Sequence, residues 1–377
     1  MNKKNKFNIL HIDGFKGFGG AQNDIVILLK FIKQYHNENF NIYVIHNNNE
    51  RLKAELDKLG ISNFSVKMTN FLDIFALFKI RRFLKRYDID LVNFHSSLDH
   101  FLGSIAAVSI FKKKIVKVLT RHVAYKVDFL KGFLIFRFLT DRFIVISDFI
   151  KKGLVEDIKI DPQKIRTIYS PRIYNEKEIS FYESKKNNVR KELGIKPEEK
   201  MVSLIGRLSK EKRHEILINA AELITKKRND IKFVIIGEGE LYRQILDLID
   251  KKGLKEYFIL SGFKDEIKTF ITASDLIIVP SGLEGMGSII IEACALKKAV
   301  IASDVGGIPE VIINNETGLL FKNGDFAGLA DKIISLIDKS KLIEKLGLNC
   351  YNKVVKKFDA KIIASETSLF YLNLLKY

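Results

Sequence analysis

The chain is poor in cysteine: Cys294 and Cys350 are its only two. Two thiols cannot build a disulfide framework, so a reduced, cytosolic setting is the expectation. Also missing is any apolar run of the ~18 residues that a membrane-spanning helix needs. Phe101 to Phe111 comes nearest and stops at Lys112. No secretory leader is legible: Asn2 to Lys6 is polar and basic, and Phe7 to Ile12 is too short for the apolar part of a leader and reads as a strand. There is no zinc-ligand spacing, no solenoid-type repeat and no low-complexity tract. These absences argue against a disulfide-stapled secreted domain, an integral membrane protein, a zinc module and a repeat array.

What remains is an ordinary globular composition. The 377 residues are 47% hydrophobic and 29% charged, enough for two or three domains with large cores. The net charge of +18 is uneven. Residues 1–175 hold 30 Lys/Arg against 16 Asp/Glu (+14), and residues 176–377 hold 33 against 29 (+4). Such a field draws anions: nucleic acid, anionic lipid headgroups or acidic saccharides. A Lys-rich composition that only aids solubility explains the charge as well.

Short apolar runs alternate with helical patterns. Phe7–Ile12, Asn41–His46, Leu91–His95, Ile115–Thr120 and Phe143–Ser147 read as buried strands, with helical stretches such as Ala21–Gln34, Phe71–Arg86 and Phe129–Leu139. The rhythm restarts with Met201–Ile205, Phe233–Gly237, Phe258–Gly262, Leu276–Pro280 and Ala299–Ser303. This predicts an α/β chain of two doubly wound parallel sheets, each covered on both faces and facing the other across a cleft. The polar stretch from Tyr174 to Lys200 reads as the linker between them. Ligands of such sheets bind at the carboxyl ends of the strands, so the loops there carry the chemistry.

Four of these loops invite a nucleotide diphosphate. Gly14, Gly17, Gly19 and Gly20 follow the first strand and lead into a helix, whose free N–H groups suit an anion. The loop has neither a G-x-G-x-x-G pattern nor the Gly-Lys-Ser/Thr ending of a Walker loop, and a plain strand-to-helix turn explains it as well. After Met201–Ile205 come Gly206, Arg207 and Lys212, two cations able to offset charge on a departing diphosphate. Gly237-Glu238-Gly239 is either a nucleotide-facing turn or a simple turn into a helix. The strongest segment is Glu284-Gly285-Met286-Gly287-Ser288 with Glu292. Its glycines turn the chain, Ser288 starts a helix, and Glu292 lies one turn further on, on the face that looks back at the loop. Two carboxylates flank one helix N-terminus, suiting sugar and ribose hydroxyls on either side of a phosphate.

With these residues in place, the chain resembles the family-four retaining glycosyltransferases of the GT-B fold (glycosyl transferases group 1) over nearly its whole length. Gly19-Gly20-Ala21-Gln22 looks like that family's N-terminal glycine turn, Gly206-Arg207 with Lys212 like its phosphate-binding pair, and Glu284 to Glu292 like its Glu-x7-Glu signature. His122 sits where the family carries a donor-site histidine, and Phe358-Asp359 resembles the start of a tail returning to the first domain. The resemblance implies a donor half at 174–358 and an acceptor half at 1–173, with 359–377 packing back on it. It implies Glu292 on the ribose, Glu284 on the transferred sugar, Arg207 and Lys212 on the leaving diphosphate, and His122 on the sugar or its phosphate. Gly19 and Gly20 would bring N–H groups to the diphosphate or acceptor. Gly206, Gly237, Gly239, Gly285, Met286, Gly287 and Ser288 would complete the donor site. It further implies a nucleotide-sugar donor, retention of configuration, no metal or other cofactor, and a saccharide or lipid-linked acceptor in surface polysaccharide or lipopolysaccharide synthesis. Two departures stand out: Tyr169-Ser170-Pro171-Arg172-Ile173 replaces a common Asn-Gly-Val-Asp, and Arg213 follows Lys212 where Gly is common.

Asp88-Ile89-Asp90 looks like a metal-binding Asp-x-Asp, yet it precedes a strand and reads as a polar lead-in. His95 and His100 suit either the acceptor side or a helix cap, and His11 reads as core. Phe71–Arg86, Lys112–Lys114 and 129–133 mix aromatics with cations, which suits peripheral contact with an anionic membrane at the cytoplasmic face. No nucleic acid is expected. The rival readings are a nucleotide-sugar epimerase of the same fold and a non-catalytic nucleic-acid or anion binder.

Overall fold

The computed structural model describes residues 6–111, 113–124, 135–173 and 175–376. The chain forms two compact units, Met1–Ile173 with Phe358–Tyr377, and Tyr174–Lys357.

The first unit is built on seven strands: β1 (Phe7–Asp13), β2 (Phe40–His46), β3 (Ser62–Ser65), β4 (Leu91–Phe94), β5 (Val116–Arg121), β6 (Arg142–Val145) and β7 (Ile165–Thr167). Their order is β3-β2-β1-β4-β5-β6-β7, with every pair parallel. Ile9 pairs with Ile42 on one side and Leu91 on the other, so β1 is central and apolar residues fill both faces. The order reverses between β1 and β4, opening a crevice at their carboxyl ends.

The second unit has six parallel strands: β8 (Lys200–Ile205), β9 (Ile231–Ile236), β10 (Phe258–Leu260), β11 (Leu276–Val279), β12 (Val300–Ser303) and β13 (Leu319–Phe321). Their order is β10-β9-β8-β11-β12-β13, and the reversal falls between β8 and β11. Val202, Phe233, Ile278 and Ile301 form its core with Leu217, Ile218 and Leu329 from the covering helices.

Several sequence expectations change. β3 is short and polar, and β7 and β13 have only three residues each, so none of the three was among the runs read as strands. The presumed linker is folded: helices Glu176–Ser184 and Lys186–Glu192 belong to the second unit, burying Ile179 and Val189. Arg190 explains the misreading, because its charge serves structure: it donates to the Ala273 carbonyl at 3.0 Å and to Asp275 at 3.1 Å. The helix expected from Phe71 starts at Ile74, where Asp73 caps it by accepting from the Ala76 N–H. Lys112 and most of 129–139 lie outside the described residues. Among the described residues no helix is long and apolar enough to cross a membrane.

The cysteines also correct the sequence reading. Cys294 and Cys350, expected as a reduced pair, are joined in a disulfide, with Cα atoms 5.2 Å apart and both side chains fully buried. The pairing follows from helix Ser288–Ala295 meeting helix Ser340–Phe358, which a cysteine count cannot reveal.

At the end of the first unit the chain closes on itself. The Arg172 N–H donates to the Phe358 carbonyl at 2.7 Å and the Ala360 N–H to the Arg172 carbonyl at 2.9 Å. Helix Ala360–Lys376 then buries Ile363, Ala364 and Tyr371 in the first-unit core. Alkylation of the unfolded, unreduced protein is expected to label neither thiol. Reductant is expected to cost the second unit ~4 kcal/mol on the loop-entropy estimate, read as a lower denaturant midpoint. Two labelled thiols, or an unchanged midpoint, would contradict the linkage.

Candidate active site

The sequence-predicted donor residues gather at the switch point of the second sheet. β8 ends in Gly206 and exposed Arg207, and a 3-10 turn, Lys210–Lys212, follows. β11 ends in Pro280 and the loop Ser281–Gly287. The two loops are tied together, since the Gly282 N–H donates to the Glu211 carbonyl at 2.8 Å. Lys212 Nζ donates to Glu284 Oε1, and the same oxygen accepts from Ser281 Oγ at 2.9 Å. The Lys212 and Glu284 side chains are 22% and 12% exposed, so the pair is shielded yet open on one side to a ligand.

Glycines shape this site by close approach. Gly306, at φ +58, passes so near the Glu284 carbonyl that a Cβ would lie 2.0 Å from it, and the Gly307 N–H donates to that carbonyl at 3.1 Å. The loop after β12 thus holds the Glu284 backbone. A Cβ on Gly237 would lie 1.9 Å from the Gly206 carbonyl, and one on Gly239 2.4 Å from the Leu208 carbonyl. Backbone packing alone therefore requires these two glycines. Gly287 is the left-handed residue before helix Ser288–Ala295, Gly285 and Met286 are buried, and Glu292 is half-buried in the second turn of that helix.

Arg213 adopts the left-handed conformation (φ +51, ψ +50) that makes Gly common at this place. Its guanidinium bonds Asn323 at 2.9 Å and Glu215 at 3.2 Å, bracing the turn against the loop after β13. His214 beside it is buried, and desolvation, helped by Lys212, lowers it to about 4, so it is neutral. Neither Ser281 nor Arg213 was assigned a part from sequence. A Ser-x-x-Glu spacing is the ordinary pattern of a helix cap and by itself marks no ligand site.

In the first unit Gly19 and Gly20 are exposed at the start of helix Gly20–Tyr35, and the Gly19 N–H donates to Gln22 Oε1 at 3.0 Å. His122 follows β5. Its Nε2 lies 3.1 Å from His95 Nδ1, and its Nδ1 lies 4.0 Å from Asp24 Oδ2. His95 Nε2 is in turn 3.0 Å from His11 Nδ1. Asp24 also accepts from Arg172 Nη1 at 2.5 Å. Burial lowers all three histidines, His11 to about 3. His11 is therefore core, as read, but a bonded part of it. His100 is buried against Thr140 at 2.7 Å. Asp88 and Asp90 both pair with Lys113, at 2.8 and 2.6 Å, which explains that acidic motif structurally.

With this geometry set, comparison with known proteins decides the family. Residues 185–353 match the family described as Glycosyl transferases group 1, and residues 25–171 match Glycosyltransferase Family 4. The chain belongs to the family-four glycosyltransferases.

The transferase is 26% identical over 331 residues to an N-acetyl-alpha-D-glucosaminyl L-malate synthase of Bacillus anthracis, spanning 85% of this chain and 84% of that one. It is 31% identical over 270 residues to an uncharacterised glycosyltransferase of Methanocaldococcus jannaschii, spanning 69% of each. It is 26% identical over 369 residues to a UDP-Gal:alpha-D-GlcNAc-diphosphoundecaprenol alpha-1,3-galactosyltransferase of Escherichia coli, spanning 94% of each. Among solved structures, the Anabaena protein HepE in complex with UDP superimposes with a TM-score of 0.83 at 20% identity, covering 97% of this chain and 100% of that one. The fold is GT-B.

Because Gly306 has no room for a side chain, Gly306→Ala is expected to destabilise the second unit by ~1–3 kcal/mol. It should also weaken donor binding by displacing Glu284. Thermal unfolding and nucleotide titration check both, and a variant of unchanged stability and affinity would overturn the assignment of this contact.

Proposed function

We propose that this glycosyltransferase moves a sugar, with retention and without a metal, from a UDP-sugar to a hydroxyl of a saccharide or lipid-linked acceptor in surface-polysaccharide synthesis. The observation that carries the reading is the Lys212–Glu284 contact at the β8/β11 switch point, where one cation and one carboxylate of the expected donor set meet. UDP as the carrier is supported by the HepE complex and by the UDP-Gal enzyme among the relatives. The latter's diphosphoundecaprenol substrate supports a lipid-linked acceptor.

In this reading Glu292 accepts hydrogen bonds from the ribose hydroxyls and Glu284 from hydroxyls of the transferred sugar. Arg207 and Lys212 hold the diphosphate, offsetting charge as it leaves in place of a divalent ion. The bond between the anomeric carbon and the phosphate oxygen breaks, and the acceptor oxygen bonds that carbon on the same face. The acceptor proton passes to the departing phosphate oxygen, so no carboxylate need act as a nucleophile. When donor enters, Lys212 exchanges part of its contact with Glu284 for phosphate oxygens, freeing Glu284 for the sugar. Gly19, Gly20 and His122 complete the reading from the first unit.

The acceptor side includes a membrane. Leu72, Phe75 and Phe78 are 85%, 76% and 63% exposed, and Lys79, Arg82, Lys85 and Arg86 follow them as exposed cations. Helix Ile74–Arg86, which carries Phe75 and Phe78 and follows Leu72, buries Ala76, Ile80, Phe83 and Leu84, so its core face is already satisfied and this apolar group is surplus to folding. An anionic bilayer at the cytoplasmic face matches both its apolar and its basic parts.

Glu292→Ala is expected to raise Kd for UDP ~10–100-fold, since it removes charge-assisted hydrogen bonds to ribose. Arg207→Ala is expected to lower kcat ~10²-fold or more with a smaller change in donor affinity. Unchanged UDP affinity in the first variant, or equal losses of kcat and affinity in the second, would count against these roles. Replacing Phe75 and Phe78 with serine is expected to weaken sedimentation with anionic phosphatidylglycerol vesicles ~10-fold or more while leaving UDP affinity intact. Equal sedimentation of both proteins would remove this patch as the membrane contact.

A further inference from the structure

Three buried imidazoles from three strand ends form one hydrogen-bonded row in the first unit. His11 lies on β1, His95 follows β4, and His122 follows β5. The contacts are His11 Nδ1 to His95 Nε2 at 3.0 Å and His95 Nδ1 to His122 Nε2 at 3.1 Å. A neutral imidazole has one N–H and one bare nitrogen, so a row of neutral rings carries its protons in one of two directions.

The two ends of the row decide the direction. At one end, His11 Nε2 is buried with no hydrogen-bond partner. At the other, His122 Nδ1 is buried 4.0 Å from the Asp24 carboxylate, which Arg172 holds in an ion pair. If the protons ran from His122 toward His11, an N–H would be stranded at His11, and a bare lone pair at His122 would face a carboxylate. Running the other way, a bare nitrogen rests at His11, and an N–H at His122 faces the carboxylate. Stranded N–H groups are the costlier orphans, and the carboxylate attracts an N–H and repels a lone pair.

We infer that His11 and His95 are positioning residues that fix His122 as the tautomer protonated at Nδ1, with Nε2 occupied as an acceptor from His95. The consequence rests on the transfer reading above. His122 enters the reaction neutral, with both nitrogens directed at groups of its own unit, so it meets the substrate only through the carbon edge of a fixed ring and exchanges no proton. The row also joins the β1/β4 switch point to Arg172, whose backbone bonds Phe358 and Ala360 where the chain returns to the first unit.

The test begins with the free, full-length protein labelled with 15N-histidine. Long-range proton–nitrogen spectra separate protonated from bare ring nitrogens, and the spectra of His122→Phe and His95→Asn identify the two rings. The expected result is a protonated Nδ1 and a bare Nε2 on both His95 and His122. A protonated Nε2 on His122, or an average of the two tautomers, would overturn the inference. This arm needs no substrate, so it stands or falls apart from the proposed activity, which a wild-type enzyme inert toward every UDP-sugar would contradict by itself.

The second arm uses transfer kinetics. Asn at position 95 places its amide nitrogen where His95 Nδ1 lies, keeping a donor to His122, whereas Leu removes it. His95→Leu is expected to lower kcat ~10–100-fold with donor KM within a few-fold, and His95→Asn to restore most of the loss. Circular dichroism confirms that both variants fold. Equal losses in the two folded variants would leave His95 a packing residue and refute the positioning role.

Discussion

Parallel pairing of strands is the constraint on which everything else in this protein depends. A parallel sheet needs a crossover after each strand, so every strand points the same way and every carboxyl end opens on one side of its sheet. Where the strand order reverses, adjacent crossovers leave in opposite directions and a crevice remains. Both sheets have such a point, at β1/β4 and at β8/β11. The first gathers Asp13, Gly14 and His95, and the second gathers Arg207, Lys212, Ser281 and Glu284. No special geometry is needed to bring Lys212 to Glu284 across 72 residues of chain. Winding the sheet does it.

The same constraint explains which features were legible. Parallel strands buried on both faces are written as continuous apolar runs, and ten of the thirteen described strands, nine of them central, could be placed from sequence within a residue or two. The failures lie at the sheet margins. β3 is an edge strand of Ser62, Asn63, Phe64 and Ser65, and the edge strands β7 and β13 are three residues long each. An edge strand needs only one pairing partner and little burial, so it carries no distinctive pattern. The polar stretch taken as a linker shows the converse. Its Arg190 is buried, and its charge satisfies backbone and carboxylate groups of the second unit. Polarity in a sequence does not tell whether a group meets water or a partner.

At the candidate site, local motifs were legible and long-range partnerships were not. Glu284, Gly287 and Glu292 lie within nine residues and could be placed on one turn and one helix by spacing alone. The His11–His95–His122 row joins three strands through contacts that follow only from strand order. The candidate residues of the two units also differ in how their charges are held. Lys212 and Glu284 are part-exposed and neutralise each other. In the first unit, burial pushes Asp13 up to about 6 and, with Asp13 nearby, pushes Asp99 up to about 8 against the pull of the His95 and Ser96 backbone N–H groups and the Ser96 hydroxyl, which all donate to it. A compact polar cluster therefore sits under the glycine turn, with few full charges to desolvate.

The division of the first unit into two stretches of sequence also bears on the order in which the molecule is made. Residues 174–357 form a closed unit whose every strand is contiguous in sequence, so its sheet can assemble while the ribosome is still at work. The first unit has all seven strands by Thr167 but not its last wall. Tyr371, 1% exposed and bonded through its hydroxyl to Asn93 at 2.7 Å, is supplied by the final turns of the last helix. The half synthesised first is therefore completed after the second, and a nascent chain carries an unfinished first unit until helix Ala360–Lys376 emerges.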